Sequence, residues 1–189
     1  MPSRQSPPAS APVDAGIDRR QAWLWLALGG FSVQGAVQAQ ALSEAALEAQ
    51  APDLPALGSV LRLPDIDLLD GTPFKATAGQ PLLVYWWAST CPFCALQSPS
   101  MQALWQAQKS RGLNMLALAV DKTPKAAADY LKKHGYSFPA AWASPLWRRQ
   151  FAKPKGLPVT LLADKQQKLV LAEKGQMFPE DVQDMAKLI

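Results

Sequence analysis

Cysteine and histidine are almost absent from this chain, whose 189 residues include 2 cysteines and 1 histidine. So few thiols and imidazoles exclude a disulfide-stapled scaffold, a multi-cysteine zinc site and an iron–sulfur cluster. Charged residues are also sparse at 18%, against 49% hydrophobic residues, which is the composition of a chain that builds a core. The net charge is only +4 and no long basic run occurs, so nucleic acid is not an expected partner. Any cysteine chemistry must therefore come from a single pair.

Long hydrophobic runs are missing as well. The apolar stretch that follows Arg19-Arg20 extends from Ala22 to Val33 and is diluted by glycines, whereas a membrane-spanning helix needs about 20 apolar residues. Basic residues, a short apolar stretch and small residues up to Ala41 are, in this order, typical of an export signal, and the arginine pair resembles the twin-arginine type. We therefore predict cleavage after Ala39 or Ala41; a general secretory signal and an uncleaved inner-membrane anchor are the alternatives. The expected organisation is an export signal over 1–41, a linker over 42–58 and one domain over 59–189.

Strand and helix patterns alternate from residue 59 onward. The run from Val60 to Leu69, followed by Asp70-Gly71, predicts a peripheral hairpin. The continuous apolar run 82–87 predicts a strand that is buried on both faces and lies centrally. An α/β fold with helices on both faces of a sheet follows from this order. The other predicted elements are a helix over 95–109 kinked at Pro99, strands over 113–120 and 138–142, helices over 124–134, 146–151 and 179–189, and a hairpin of 159–163 with 169–173.

The two cysteines, Cys91 and Cys94, lie three positions apart where the central strand gives way to a helix. The first turn of a helix leaves backbone N–H groups without partners, and a thiolate at the cap accepts them at the positive end of the helix dipole. We expect this to lower the pKa of Cys91 from about 8.5 into the range of roughly 3.5 to 7.5. Pro92 suits the first helical position. Cys91 is thus the predicted attacking cysteine, and Cys94, one turn on, the resolving one.

Less reactive roles for the pair remain open at this point. A metal site would need two more ligands, and His134, the single histidine, is predicted at a helix end. A purely structural disulfide over so short a loop would stabilise the fold little. Nothing in the local sequence places His134 near Cys91 as a catalytic base. Redox exchange is therefore favoured, and Lys153 and Lys155 are predicted to be solvated loop charges.

The segment around the cysteines resembles the active-site segment of thioredoxin-like proteins. It reads WASTCPFC from Trp87 to Cys94 and is followed by Pro99. Later in the chain, GLPVT from Gly156 to Thr160 is similar to the family's Gly-x-Pro-x-Thr segment. Further features resemble the exported TlpA and ResA group of disulfide reductases, namely Asp70-Gly71, Val120-Asp121, the helix ending at 132–135 and Phe138-Pro139.

The resemblance implies a thioredoxin fold, with a central mixed sheet, helices on both faces and an N-terminal β-hairpin extension. It also implies that Pro158 is cis and faces the cysteines, and that the backbone of Leu157 binds an extended substrate peptide. A cis X-Pro bond costs only about 0.5 to 1 kcal/mol and is kept where local geometry requires it. Trp87 and Phe93 are predicted to line the site because of their positions beside the pair.

Three residues depart from the family's pattern. Gln97 stands where the ResA-like group often has Glu, Tyr85 stands where thioredoxin has a buried Asp, and Thr90 replaces the usual Trp. The two missing carboxylates normally help to move the proton of the resolving cysteine. Deprotonation of Cys94 is therefore expected to depend on water or on the leaving thiolate of the substrate.

The function that the resemblance implies is that of a periplasmic disulfide reductase. No cofactor is expected besides the cysteine pair. Electrons would come from a membrane thiol transporter of the DsbD or CcdA kind and pass to an oxidised periplasmic protein, such as an apocytochrome c, and a monomer is expected. The alternatives are an oxidase or isomerase of the same fold, because the Pro-Phe dipeptide is similar to those of glutaredoxins and more oxidising Dsb proteins, or a copper-binding chaperone module with Cys91 and Cys94 as soft ligands.

Overall fold

The computed structural model describes residues 46–189. The predicted export signal and the first residues of the linker lie outside the described residues. Within 46–189, no helix is both long enough and apolar enough to cross a membrane. The strands are β1 (Leu82–Trp87), β2 (Asn114–Ala119), β3 (Ala140–Trp142), β4 (Val159–Ala163) and β5 (Leu169–Lys174), and the α-helices of the domain are α1 (Pro92–Gln108), α2 (Pro124–His134) and α3 (Pro179–Asp184).

The strands form one mixed sheet in the order β3-β2-β1-β4-β5. β1, β2 and β3 run parallel, whereas β4 is antiparallel to both β1 and β5. Every residue of β1 is buried, because the strand has a neighbour on each side and a covered surface on each face. The predicted central position of this strand is confirmed.

All three α-helices pack on the same face of the sheet. Met101 of α1, Ala127 of α2 and Val182 of α3 belong to one core cluster with Leu83 and Met115 of the central strands. The cause is topological: two successive β-α-β connections step across the sheet in the same direction, and right-handed crossovers then bring both helices to one face. The cysteine pair lies on this helical face, since Cys94 is a member of the same cluster.

The opposite face is covered mainly by extended chain. Trp86 stacks on Phe151 with ring centroids 5.8 Å apart and also contacts Trp147. The predicted helix over 146–151 is a single 3₁₀ turn, Trp147–Arg149. Helices on both faces are expected from the sequence, but α1, α2 and α3 all lie on the other face, and here a 3₁₀ turn stands where a helix is predicted. Partly buried apolar side chains between residues 54 and 74 complete the cover.

The N-terminal extension is joined to the sheet by single bridges rather than by strands. The Asp70-Gly71 turn forms as predicted, with Leu68 N–H donating to Thr72 O and the Asp70 carboxylate accepting from Thr72. One bridge, Asp67 to Pro73, closes this hairpin.

The segment 58–61 reaches the far end of the sheet. The N–H of Leu169 donates to Ser59 O at 2.8 Å, and the N–H of Leu61 donates to Gln167 O at 2.8 Å. These hydrogen bonds join the beginning of the domain to residues at the β4–β5 turn, which lies late in the domain's sequence.

Candidate active site

Cys91 and Cys94 form a disulfide at the first turn of α1. Cys91 is the N-cap, its sulfur accepts the N–H of Cys94 at 3.1 Å, and Pro92 occupies the first helical position, as the sequence predicts. Cys91 is partly exposed, whereas Cys94 is only 1% exposed. An incoming group can therefore approach Cys91, while Cys94 faces the core.

The loop that leads into Cys91 is held by the end of β2. Ser89 donates its backbone N–H and its hydroxyl to the buried carboxylate of Asp121. The N–H of Cys91 donates to Ala88 O, and that of Val120 to Trp87 O. These hydrogen bonds fix the path of the chain between the strand and the cap. Sequence reasoning did not find the Ser89–Asp121 pair, because the two residues lie on different loops.

A buried tyrosine lies behind the resolving cysteine. The hydroxyl of Tyr85 donates to Cys94 O at 3.2 Å and is also 3.2 Å from Ser98 Oγ, which itself donates to Cys94 O at 2.8 Å. Burial raises the pKa of Tyr85 well above its usual value, against a smaller lowering by the Ser98 hydrogen bond. The chain thus holds a neutral phenol at the position where the resemblance to thioredoxin implies a carboxylate.

Gln97 connects three elements through its side chain. It is buried one turn after Cys94, donates its Nε2 to Thr160 Oγ1 of β4 at 3.0 Å and accepts the N–H of Met177 at 2.8 Å. The amide can satisfy a donor and an acceptor at once, which an ionised carboxylate cannot do. Gln97 therefore ties α1 to β4 and to the loop before α3.

The Leu157–Pro158 peptide bond is cis, as predicted. Val159 pairs with Trp86 in the antiparallel β1–β4 register, so this segment lies at the end of β1 from which the chain enters the Cys91 loop. Leu157 packs against the core cluster that contains Cys94. The structure thus brings the second motif to the same edge of the sheet as the first.

The other predicted site residues differ in their exposure. Phe93 is 56% exposed beside the disulfide, as expected of a residue that lines a site. The prediction that Trp87 lines the site is wrong, because its side chain is fully buried among Tyr130 and Phe138. Pro99 lies inside α1 without ending the helix.

His134 lies at the end of α2. Its ring packs against Tyr130 and Tyr136. In the part of the chain that the structure describes, no group of three or more His, Cys, Asp or Glu residues is arranged to hold a metal ion.

A family profile described as Redoxin matches residues 59–189. The chain belongs to the Redoxin family. A curated relative of this Redoxin-family protein, thiol-disulfide oxidoreductase ResA of Bacillus thuringiensis subsp. konkukian, is 27% identical over 118 residues, which are 61% of this chain and 66% of that protein. ResA of Bacillus subtilis is 24% identical over 111 residues, covering 59% of this chain and 62% of the relative. The match thus spans just under two thirds of the length of these relatives.

Solved structures of thioredoxin-like proteins share the fold of this Redoxin-family chain. A thiol:disulfide interchange protein of Chlorobium tepidum superposes with a TM-score of 0.63 at 23% identity, over 70% of this chain and 97% of the other. A protein described as a secreted disulfide oxidoreductase of Mycobacterium tuberculosis gives a TM-score of 0.58 at 17% identity, over 66% and 95%. The predicted thioredoxin-like fold is confirmed.

One buried charge near the cis-proline segment of this Redoxin-family chain was not predicted. Lys153, expected to be solvated, is buried and forms an ion pair with Glu48. Lys155 is exposed, as expected. No local pattern reveals the Lys153 contact, because Glu48 lies in the distant linker. The Glu48 carboxylate also accepts the N–H of Gly156, 108 positions further along the chain.

Proposed function

We propose that this protein is a thiol-disulfide oxidoreductase that reduces disulfides of other proteins in the periplasm. The observation that carries the proposal is the pair itself: a disulfide at a helix start, with one partly exposed and one buried sulfur. Relatives named thiol-disulfide oxidoreductase support the chemistry. No cofactor is required, because the pair stores the two electrons that are exchanged.

The exchange proceeds in two steps. In the reduced protein, the Cys91 thiolate attacks one sulfur of a substrate disulfide, a Cys91–substrate disulfide forms, and the other substrate sulfur leaves as a thiolate that takes up a proton. Cys94 then loses its proton and attacks the Cys91 sulfur, which releases the second substrate thiolate and forms the Cys91–Cys94 disulfide. Two electrons pass from the protein to the substrate.

The surroundings of the pair favour this order of attack. The N–H of Cys94 points at the Cys91 sulfur and would stabilise a thiolate there, as would the positive end of α1. At Cys94 the Tyr85 and Ser98 hydroxyls donate to the backbone carbonyl, and neither supplies a carboxylate that could take the thiol proton. The proton of Cys94 therefore goes to water or to the leaving thiolate of the substrate.

The site has a second part in the Leu157–Pro158 segment. The backbone of Leu157 would hydrogen-bond an extended substrate peptide and align its sulfur with Cys91, and the exposed Phe93 would add apolar contact. Export by the N-terminal segment would deliver the protein to the periplasm, and one similar structure is that of a protein described as secreted. There a membrane thiol transporter of the DsbD or CcdA kind would reduce the Cys91–Cys94 disulfide again. The substrate would be an apocytochrome c or another periplasmic thiol protein. The protein would act as a monomer.

The direct test compares the wild type with Cys91→Ser and Cys94→Ser in the reduction of insulin by dithiothreitol. We expect Cys91→Ser to abolish turnover and Cys94→Ser to accumulate mixed disulfides with the substrate. Retained turnover in both variants would refute the mechanism.

The direction of transfer is tested by the equilibrium reduction potential of the pair in a thiol-disulfide buffer. We expect a value toward about −270 mV, whereas one toward about −120 mV would identify an oxidase of the same fold.

A further inference from the structure

The buried side chain of Lys153 is hydrogen-bonded to the loop 154–156, which leads into Leu157. Its ammonium group donates to Pro154 O at 2.8 Å and to Gly156 O at 3.0 Å, and it forms an ion pair with the Glu48 carboxylate at 2.9 Å. The Lys153 side chain is only 6% exposed. A lysine ammonium has three N–H donors, and each of them has an acceptor here.

The carboxylate of Glu48 completes the arrangement from the other side of Gly156. Its Oε1 accepts the N–H of Gly156 at 2.9 Å, and the N–H of Lys155 donates to Pro52 O at 2.9 Å. The N–H and the carbonyl of Gly156 are thus both held by the Glu48–Lys153 pair.

The residues on both sides of Leu157 are anchored. Gly156 is held as described, and the carbonyl of Pro158 accepts the N–H of Gly175 at 2.9 Å. Gly156 has a φ of +89°, a left-handed backbone conformation that residues with a side chain rarely adopt. The backbone of Leu157 is presented between two fixed points.

Burial of an ammonium group is costly, and well-packed apolar residues often stabilise a fold at least as well as a buried ion pair. The Glu48–Lys153 pair instead orients the backbone, because each of its hydrogen bonds fixes the position of one backbone atom. A small change in the orientation of this backbone lowers the affinity for a ligand that docks along it. It does not change the affinity for a ligand that reaches only the exposed sulfur.

We propose that Lys153, held by Glu48, is a positioning residue for protein substrates: it fixes the backbone of Gly156 so that Leu157 faces an extended substrate peptide. The inference rests on the proposed function and adds a specificity role for the linker segment around Glu48. A small aromatic disulfide needs only the Cys91–Cys94 pair and has no extended backbone to dock, so its reduction is independent of Lys153.

The experiment uses the full chain and two substrates, insulin and 5,5′-dithiobis(2-nitrobenzoate). We expect Lys153→Met to raise the KM for insulin about tenfold, the equivalent of about 1.4 kcal/mol, with kcat within about twofold. The rate with the small disulfide and the reduction potential of the pair stay as in the wild type. The matched control is Lys155→Met, which removes an exposed lysine from the same loop and is expected to leave both substrates unaffected.

An unchanged KM for insulin in Lys153→Met, or equal losses with both substrates, would overturn the proposal while leaving the proposed function intact. A wild-type protein that reduces neither substrate would instead contradict the proposed function. If Lys153→Met does not fold, Glu48→Ala decides the matter, because the Glu48 side chain is 46% exposed and its removal leaves the two carbonyl bonds of Lys153 in place. For that variant we expect a rise of about threefold in the insulin KM alone, and no rise would overturn the proposal.

Discussion

The carboxylate of Asp121 accepts the backbone N–H of Ser89 at 3.1 and 3.2 Å and the Ser89 hydroxyl as well. Asp121, two residues after the end of β2, thereby holds the loop at Ser89, two residues before the attacking cysteine. The backbone carbonyl of Asp121 also accepts the indole N–H of Trp142 at 2.7 Å, which connects this point to β3. The position of Cys91 thus depends on the ends of neighbouring parallel strands.

Replacing Asp121 by Ala is expected to destabilise the protein by about 1–3 kcal/mol, because Ser89 loses its acceptor in a partly buried place. Urea unfolding of the oxidised protein measures the change. Asp129→Ala on α2 is the control, since its exposed pair with Lys125 contributes at most about 0.5 kcal/mol. Equal losses in the two variants would contradict a special role for the Ser89–Asp121 contact.

The Tyr85 phenol predicts a dependence of stability on alkaline pH. Burial raises its pKa in the folded protein above the usual value of about 10, so the contribution is complete below that value and is lost as the pH rises through the folded pKa. Tyr85→Phe should cost about 1 kcal/mol near neutral pH, because one hydroxyl contact is lost. The stabilities of variant and wild type should then converge above about pH 10. Urea midpoints across this range check the prediction, and parallel curves would contradict it.

Gln97 joins α1 to β4 and to the loop before α3, so Gln97→Ala is expected to cost about 2–3 kcal/mol through two lost hydrogen bonds in the core. The free energy of unfolding measures this. The control on the same helix is Gln106→Ala, whose exposed side chain donates to Ser137 and should matter by less than about 0.5 kcal/mol. If the Gln97 variant is no less stable than the Gln106 variant, the bridging role is wrong.

The ion pair of Glu48 predicts a dependence on acid pH. Burial raises the pKa of Glu48, but the Lys153 hydrogen bond, the Gly156 N–H and the charges of Lys153 and Arg148 outweigh it, so the pKa is lowered from 4.5. The stabilisation is therefore present above that value and is lost as the pH falls through the lower folded pKa. Glu48→Gln should be less stable than the wild type at neutral pH and equally stable in acid, as urea unfolding at several pH values would show. A difference that persists in acid would disprove this origin.

The parts of the fold that follow local rules could be predicted from the sequence. Thr123 caps α2, Pro124 begins it and Gly135 ends it with a φ of +67°, all as expected from the residue types. The start of α1 at Cys91-Pro92 follows the same rules. These signals suffice because each depends on the backbone preferences of one or two neighbouring residues.

The parts that depend on distant contacts could not be predicted. Trp87 ends a strand that is buried on both faces, so its continuous apolar pattern holds no information on which side chain reaches the surface. Lys153 is buried because an acceptor from the linker covers it, and a lysine is otherwise almost always exposed. The 3₁₀ turn at Trp147 replaces a predicted helix because its apolar residues pack on Trp86 rather than along a helical stripe.

The hydrogen bonds that join segment 58–61 to Gln167 and Leu169 affect the order in which the chain can complete its fold during synthesis. Segment 58–61 is made early, but its partners at Gln167 and Leu169 are made only after β1 to β4. Until then the Trp86 face of the nascent sheet lacks part of its cover and exposes apolar surface that favours aggregation. The Trp86 face is therefore fully covered only after the β4–β5 hairpin meets the first residues of the domain.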